Sequence, residues 1–341
     1  MAQVKTNFQE FSVISTFAGC GGSSLGYVLA GGKVRAAIEW EPKATKIYRD
    51  NHPATIMIEG DIGEVTLEQL FRITKLNPGE LDVFDGSPPC QGFSLSGNRN
   101  IKDPRNTLFK EYVRLLTGLQ PKTFVMENVN ALVQGKMKLI FVEILKQLKD
   151  AGYQVSAKVL NANVYGVPQS RKRLFFIGVR NDICAKLKIQ PTHPTPTHLK
   201  QSAKQALVGL PAETEEKLRL HELYRDEHKT FKLWELLKPG QNLIKLGLKN
   251  GFNSQKVNPN RPAPTLTKTA SMPEFCGYMH WETNRPFTIL ELQRISGFPD
   301  DYKFGTDYKS AVERMGNTVP PPVTFAIANH LNKTVFSRLQ K

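Results

Sequence analysis

The residues best suited to do chemistry lie between Gly86 and Arg173. In Gly86-Ser-Pro-Pro-Cys-Gln-Gly-Phe-Ser94 two prolines fix the backbone after an apolar run and present Cys90 from a rigid turn. A thiol so placed becomes a strong nucleophile once ionised, and nearby Lys, Arg or a helix N-terminus favours that form. The plain alternative is a small buried hydrophobe. The following segment, Gln91 to Thr107, carries Ser94, Ser96, Gly97, Asn98, Arg99, Lys102, Asp103 and Arg105. Such a polar, basic loop can close over a phosphate backbone, or simply lie solvated. Val125-Met-Glu-Asn-Val129 puts Glu127 at the end of another apolar run, where an acid either caps a helix or enters a site formed by strand ends. In Gly166-Val-Pro-Gln-Ser-Arg-Lys-Arg173 the two guanidiniums alternate. On an extended segment Arg171 and Arg173 would share one face, toward an anionic or carbonyl-bearing ligand or toward surface carboxylates.

A second group lies nearer the N-terminus. Phe17-Ala18-Gly19-Cys20-Gly21-Gly22 follows the apolar, β-branched run Ser12 to Phe17. Glycines at a strand-to-helix turn let a ligand approach backbone N–H groups closely. An acid about 20 positions on, at the end of the next strand, would bind a ribose hydroxyl. Glu39 fits, and Trp40 beside it offers a flat surface for a purine. The full G-x-G-x-x-G spacing is absent, so the cluster also reads as a plain turn. Asp61-Ile62, after a third short strand, adds a group able to read an adenine amine, or a simple helix cap.

These residues need strands and helices to hold them. Val34–Ile38, Leu81–Phe84, Phe124–Met126 and Leu174–Val179 read as further strands, and Leu108–Leu119 and Leu139–Leu148 as helices. The alternation predicts an α/β fold with a mostly parallel sheet covered on both faces. The texture changes near Lys188: Gln190 to His198 is rich in Pro and Thr, and the chain stays irregular to about Arg285. Regular pattern returns at Phe287–Ile295 and in a closing helix, Val323–Leu331, behind three prolines. The expected organisation is therefore a large domain over 1–189, a smaller inserted one over 190–285, and a return to the first over 286–341. Across the 341 residues, 46 Lys and Arg against 31 Asp and Glu give a formal net charge of +15, which favours polyanionic partners. No apolar run reaches the ~20 residues of a spanning helix. Nor does an export signal precede Ser15, so the four cysteines are expected as reduced thiols, with no metal site.

Taken in order, these segments resemble the DNA cytosine-5 methyltransferase family. The resemblance rests on Phe17–Gly22, Glu39-Trp40, Asp61-Ile62, Pro88-Pro-Cys90, Asn106-Thr-Leu108, Glu127-Asn-Val129 and Gln169-Ser-Arg-Lys-Arg173. Arg261-Pro-Ala-Pro-Thr-Leu266, Phe298-Pro-Asp300 and Gly316-Asn-Thr-Val319 follow in the family's order. One departure is Ser15-Thr16, where the family commonly has Asp-Leu. The resemblance implies a Rossmann-like S-adenosylmethionine-dependent domain with an inserted target-recognition domain. It implies that Cys90 attacks C6 of a flipped cytosine, that Glu127 holds the N3/N4 edge, and that Arg173 holds O2 with support from Arg171. Phe17, Ala18, Gly19, Cys20, Gly21, Gly22, Glu39, Trp40, Asp61, Ile62, Pro88, Leu108, Asn317 and Val319 would form the cofactor site. Gln91, Ser94, Ser96, Arg99 and Arg105 would belong to a loop on the DNA. The expected partner is duplex DNA, with a cognate restriction endonuclease as a companion, for a monomeric bacterial protein of the cytoplasm associated with the nucleoid. Two alternatives remain open at this stage: a cytosine-5 methyltransferase acting on tRNA, and a non-catalytic DNA-binding protein of the same fold.

Overall fold

A computed structural model describes residues 9–89, 105–197, 199–211, 214–220, 233–248, 254–271, 277–283 and 285–340. Seven strands form one sheet: β1 (Phe11–Thr16), β2 (Gly32–Glu39), β3 (Ile56–Glu59), β4 (Val83–Gly86), β5 (Thr123–Val129), β6 (Tyr153–Asn161) and β7 (Lys172–Arg180). Their spatial order is β3-β2-β1-β4-β5-β7-β6. The β1–β2, β1–β4, β2–β3 and β4–β5 pairs are parallel, while β5–β7 is antiparallel. Every residue of β1 and β4 is buried, as strands covered on both faces require. The order reverses between β1 and β4, and open α/β sheets bind ligands at the carboxyl ends on either side of such a point.

The connections are helical: α1 (Gly22–Leu29), α2 (Pro42–Asn51), α3 (Leu67–Thr74), α4 (Arg105–Leu119), α5 (Lys138–Asp150) and α6 (Asn181–Leu187). On α4, Phe109, Tyr112, Leu115, Leu116 and Leu119 repeat at three- and four-residue steps, and each is buried. This stripe packs into the core with Ile14, Phe84, Phe124, Phe176 and, from α5, Ile144 and Leu148. The Tyr112 ring stacks on Phe84 at 4.8 Å. A side chain at Gly86 would stand 2.3 Å from Thr16 Oγ1 and 2.7 Å from Tyr112, so the end of β4 admits only glycine. Among the described residues no helix is long and apolar enough to cross a membrane.

The chain divides into two compact units. One comprises Met1–Leu160, Lys172–Thr195 and Thr324–Lys341; the other comprises Asn161–Arg171 and Pro196–Val323. The second division falls inside the helix Pro321–Leu331, which begins within the three prolines, because a first helical turn tolerates a missing N–H. In the second unit regular structure is short: α7 (Ala203–Ala206), a two-stranded pair of β8 (Gln255–Lys256) and β9 (Tyr278–Met279), and the helices Ile289–Ile295 and Tyr308–Asn317. Trp234, Leu220, Leu237, Leu243 and Met279 form a small core there. The Glu291 carboxylate takes both ends of the Arg285 guanidinium at 2.8 Å and caps its own helix through the Thr288 N–H. Cys20 and Cys184 are buried thiols outside any disulfide.

Candidate active site

The first site element is the turn that joins β1 to α1. Phe17 leaves the strand at φ +52°, and Gly19 and Gly21 follow at +55° and +89°. The positive angles reverse the chain in five residues, which glycine does without a Cβ penalty. The Ala18 N–H donates to the Ile38 carbonyl at 3.1 Å, and the Gly21 N–H to the Ala18 carbonyl at 3.0 Å. Glu39, at the end of β2, is 8 % exposed and is spent on backbone donors. Its Oε2 accepts from Gly19 N–H at 2.8 Å, and Oε1 from the N–H groups of Trp40 and Glu41, both at 3.0 Å. The Gly60 N–H reaches the Glu39 carbonyl at 3.0 Å, which brings Asp61 to the same edge. Asp61 Oδ1 accepts from the Gly63 N–H at 2.8 Å, and Ile62 enters the core. Trp40 stands 72 % exposed.

Phe17–Gly22, Glu39, Trp40 and Asp61 thus lie at one sheet edge, where they could hold an adenosine. An exposed indole stands next to a carboxylate, and a side chain at Gly19 would meet nothing within 4 Å, leaving open space over the turn. Cys20, 1 % exposed, and Gly22 line its buried underside. Leu108, on α4, packs half-buried on the core.

Two supports of this turn were not foreseen. Asp85, 6 % exposed on β4, accepts from Ser15 Oγ at 2.9 Å, Ser23 Oγ at 2.5 Å and Tyr27 OH at 3.0 Å. Burial pushes its carboxyl up to about 6, against the pull of the three hydroxyl donors. The bonds join β4 to β1 and to the first turns of α1, directly behind the glycines. From the other side His52 sets Nε2 3.2 Å from the Gly21 carbonyl and packs against Tyr48 with ring centroids 4.6 Å apart and the planes tilted by 39°, while Tyr48 OH donates to Ser24 Oγ at 2.9 Å. Desolvation lowers His52 to about 4, so it is neutral at physiological pH. An acid inside an otherwise apolar strand was the available signal for Asp85. Nothing local marks His52.

The second element lies at the end of β5. Glu127 and Arg173 form an ion pair, Nε to Oε1 at 3.0 Å, with both side chains largely buried. Next to Glu127, Asn128 Nδ2 donates to the Pro88 carbonyl at 3.1 Å and its Oδ1 accepts from the Val129 N–H at 2.8 Å. That bond ties β5 to the Pro-Pro turn two residues before Cys90. Cys90, Gln91, Ser94, Ser96 and Arg99 lie outside the described residues. So does the side chain of Arg105, whose backbone begins α4.

Arg171 and Arg173 do not share a face as alternation predicted. β7 begins at Lys172, so Arg171 precedes the strand. It is 3 % exposed, and its Nη1 and Nη2 each donate at 2.9 Å, to the carbonyls of Leu266 and Gly316. Asn317, exposed, and Val319, buried, also belong to the second unit.

Comparison with known proteins gives a consistent picture. A family model described as C-5 cytosine-specific DNA methylase matches residues 11–333. The chain is 31% identical to the Type II methyltransferase M.NgoPII of Neisseria gonorrhoeae, over 97% of this chain and 98% of that one. It is 34% identical to M1.HphI of Haemophilus parahaemolyticus, over 95% and 87%. A crystal structure described as a DNA modification methyltransferase encoded within a prophage (E. coli) superposes with a TM-score of 0.76 at 25% identity, covering 97% of this chain and all of that one.

Proposed function

We propose a residue-level mechanism for this chain, which belongs to the C-5 cytosine-specific DNA methylase family and is a DNA cytosine methyltransferase. The substrate is a cytosine within a short, specific duplex sequence, and the family and fold imply S-adenosylmethionine as methyl donor. The observation that carries the mechanism is the Glu127–Arg173 pair beside the anchored Pro-Pro turn. An acid and a guanidinium held together at a strand edge can grip the two faces of a pyrimidine's polar rim.

The target carbon lies in a stacked duplex, so the base must swing out, at a cost of a few kcal/mol. C5 of cytosine is a weak nucleophile until something adds to C6. The Cys90 thiolate forms that bond, and the ring electrons shift to C5. Glu127 holds N3 and N4 and stabilises the ring as it becomes protonated, while Arg173 holds O2. Arg171 acts as a positioning residue, through the carbonyls it ties. S-adenosylmethionine, when bound, supplies an electrophilic methyl group that C5 attacks. Loss of the C5 proton to a base and expulsion of the Cys90 thiolate then restore aromaticity.

Trp40 would stack on the adenine, Glu39 would face the ribose and Asp61 the adenine amine. Phe17 to Gly22 would bring backbone to the donor, with Ile62, Pro88, Leu108, Asn317 and Val319 completing its walls. Residues 91–105, with Gln91, Ser94, Ser96, Arg99 and Arg105, would close on the DNA. Residues 190–285 would read base edges in the major groove. The enzyme would act as a monomer in a bacterial cytoplasm, held to the nucleoid by its substrate, with a restriction endonuclease that cuts the same sequence.

The test is transfer of label from S-adenosylmethionine to duplex DNA or to tRNA. Label in the duplex alone is expected; label in tRNA alone would overturn the choice of substrate. Cys90→Ala should abolish turnover with cofactor affinity retained, and duplexes carrying 5-fluorocytosine should trap a covalent adduct that survives a denaturing gel.

A further inference from the structure

The second unit carries a depression of about 720 Å³ that the mechanism does not use. Three cations, Lys200, Lys204 and Arg261, line it, and among the described residues no carboxylate does. All three are exposed, and among the described residues none forms an ion pair. The wall is built rather than loose. Ser202 and Gln205 cap α7 reciprocally, the Ala203 N–H donates to the Arg261 carbonyl at 2.9 Å, and the Lys204 N–H to the Pro259 carbonyl at 3.0 Å. The opposite wall is fixed by Ser170 N–H to the Ala263 carbonyl at 2.7 Å and by Thr265 Oγ1 to the Ser170 carbonyl at 2.8 Å. Lys204 and Arg261 therefore start from fixed backbone positions, and Lys200 precedes the capped turn by two residues.

Gln205, among the neutral groups of the lining, has the same preference. The Gln205 amide oxygen is taken by the Ser202 N–H at 2.8 Å, which leaves its NH₂ to donate. Asn163 is 4 % exposed, and its Oδ1 has no hydrogen-bond partner. An amide can turn over to present N–H to an anion instead. Cations, amides and a serine hydroxyl are the groups that contact phosphate and sugar. Among the described residues no aromatic side chain lines the depression, which argues against stacking of unpaired bases. α7, at four residues, is too short to lie along a major groove.

The geometry points to a phosphate clamp: Lys200, Lys204 and Arg261 hold the sugar–phosphate backbone of duplex DNA and fix the register of the second unit on it without reading sequence. The choice of duplex DNA as the polyanion rests on the proposed function.

The experiment uses the full chain and its variant Lys200→Ala/Lys204→Ala/Arg261→Ala, with fluorescein-labelled duplexes of cognate and scrambled sequence and a labelled tRNA. Binding is followed by anisotropy across a salt series. Each phosphate contact contributes about 0.9 to the slope of log affinity against log salt, so three should remove about 2.7. The variant's deficit should then shrink about 40-fold between about 50 and 200 mM salt. Cognate and scrambled duplexes should weaken by the same factor. The methylated sequence, turnover at saturating DNA and the melting temperature should stay as they are. An unchanged slope would overturn the clamp, as would loss confined to the cognate duplex or to tRNA. Anisotropy does not depend on methyl transfer, so an inactive wild type that still binds duplex would count against the mechanism and leave this test readable.

Discussion

Asp85→Asn should make the protein more stable, not less, at neutral pH. A carboxyl raised from 3.8 to about 6 holds its proton more tightly in the folded chain than in the unfolded one. The folded state therefore binds the extra proton between those values, and stability falls as pH rises through the window. Above about pH 6 the ionised group costs roughly 3 kcal/mol relative to a neutral one, at about 1.4 kcal/mol per tenfold change in acidity. Asparagine keeps the shape and removes the charge. The hydroxyls of Ser15, Ser23 and Tyr27 can each reverse, since a hydroxyl both donates and accepts. The gain should be about 2–3 kcal/mol at pH 7.5, or roughly 5–10 °C for a unit of this size. It should narrow below pH 6 and vanish near pH 4. Urea unfolding followed by circular dichroism, on both proteins across that range, measures it. A variant less stable at pH 7.5, or a difference flat with pH, would refute the account of Asp85 as a desolvated carboxylate held by neutral donors.

His52 works in the opposite direction. Its folded value of about 4 lies below the ordinary 6.5, so stability is lost as pH falls between them, by about 3 kcal/mol in all. His52→Gln should flatten that acid limb, at some cost in the Tyr48 contact at neutral pH, as read from urea midpoints at pH 4 to 7. Glu127→Gln should lower kcat by about 10²–10⁴, the range typical of a lost proton-handling group, while the affinity for duplex DNA changes little. Single-turnover rates and anisotropy together separate the two.

Much of this was legible in the residues. Strands buried on both faces are continuous apolar runs, so the expected bounds of β1, β2, β4, β5 and β7 agree with the structure to within three residues. The glycine turn was legible because a reversal of the backbone at positive φ needs glycine; the acid closing β2 was legible by its place, and its carboxylate accepts from the N–H groups of Gly19, Trp40 and Glu41. α2 went unseen: Pro42–Asn51 is mostly charged and polar, and helix formation there owes more to Glu41, which accepts from Lys43 and Ala44 N–H, than to any apolar stripe. β6 went unseen because its exposed and half-buried residues follow no clean alternation. The apolar run that marks β4 in the sequence ends at Phe84, whereas the strand runs on to Gly86 and buries Asp85. His52 reaches the Gly21 carbonyl across 31 residues of chain, a contact no local pattern encodes. For Arg171 the error was one of register: alternation holds only inside a strand, and the strand starts one residue later.

The reversed strand explains how the Glu127–Arg173 pair is made at all. Phe17 after β1, Glu39 on β2, the Pro-Pro turn after β4 and Glu127 near the end of β5 all sit at or just beyond the carboxyl end of a parallel strand. Arg173 instead lies at the beginning of its strand. In the antiparallel register Glu127 faces Phe175 and Val129 faces Arg173, so Glu127 and Arg173 share a face as diagonal neighbours, close enough for two long side chains to meet. Run parallel, a nine-residue β7 would carry Arg173 about 25 Å away, to the opposite edge of the sheet. The antiparallel β5–β7 pairing is thus the condition under which a basic motif at the start of a strand can meet an acid at the end of its neighbour.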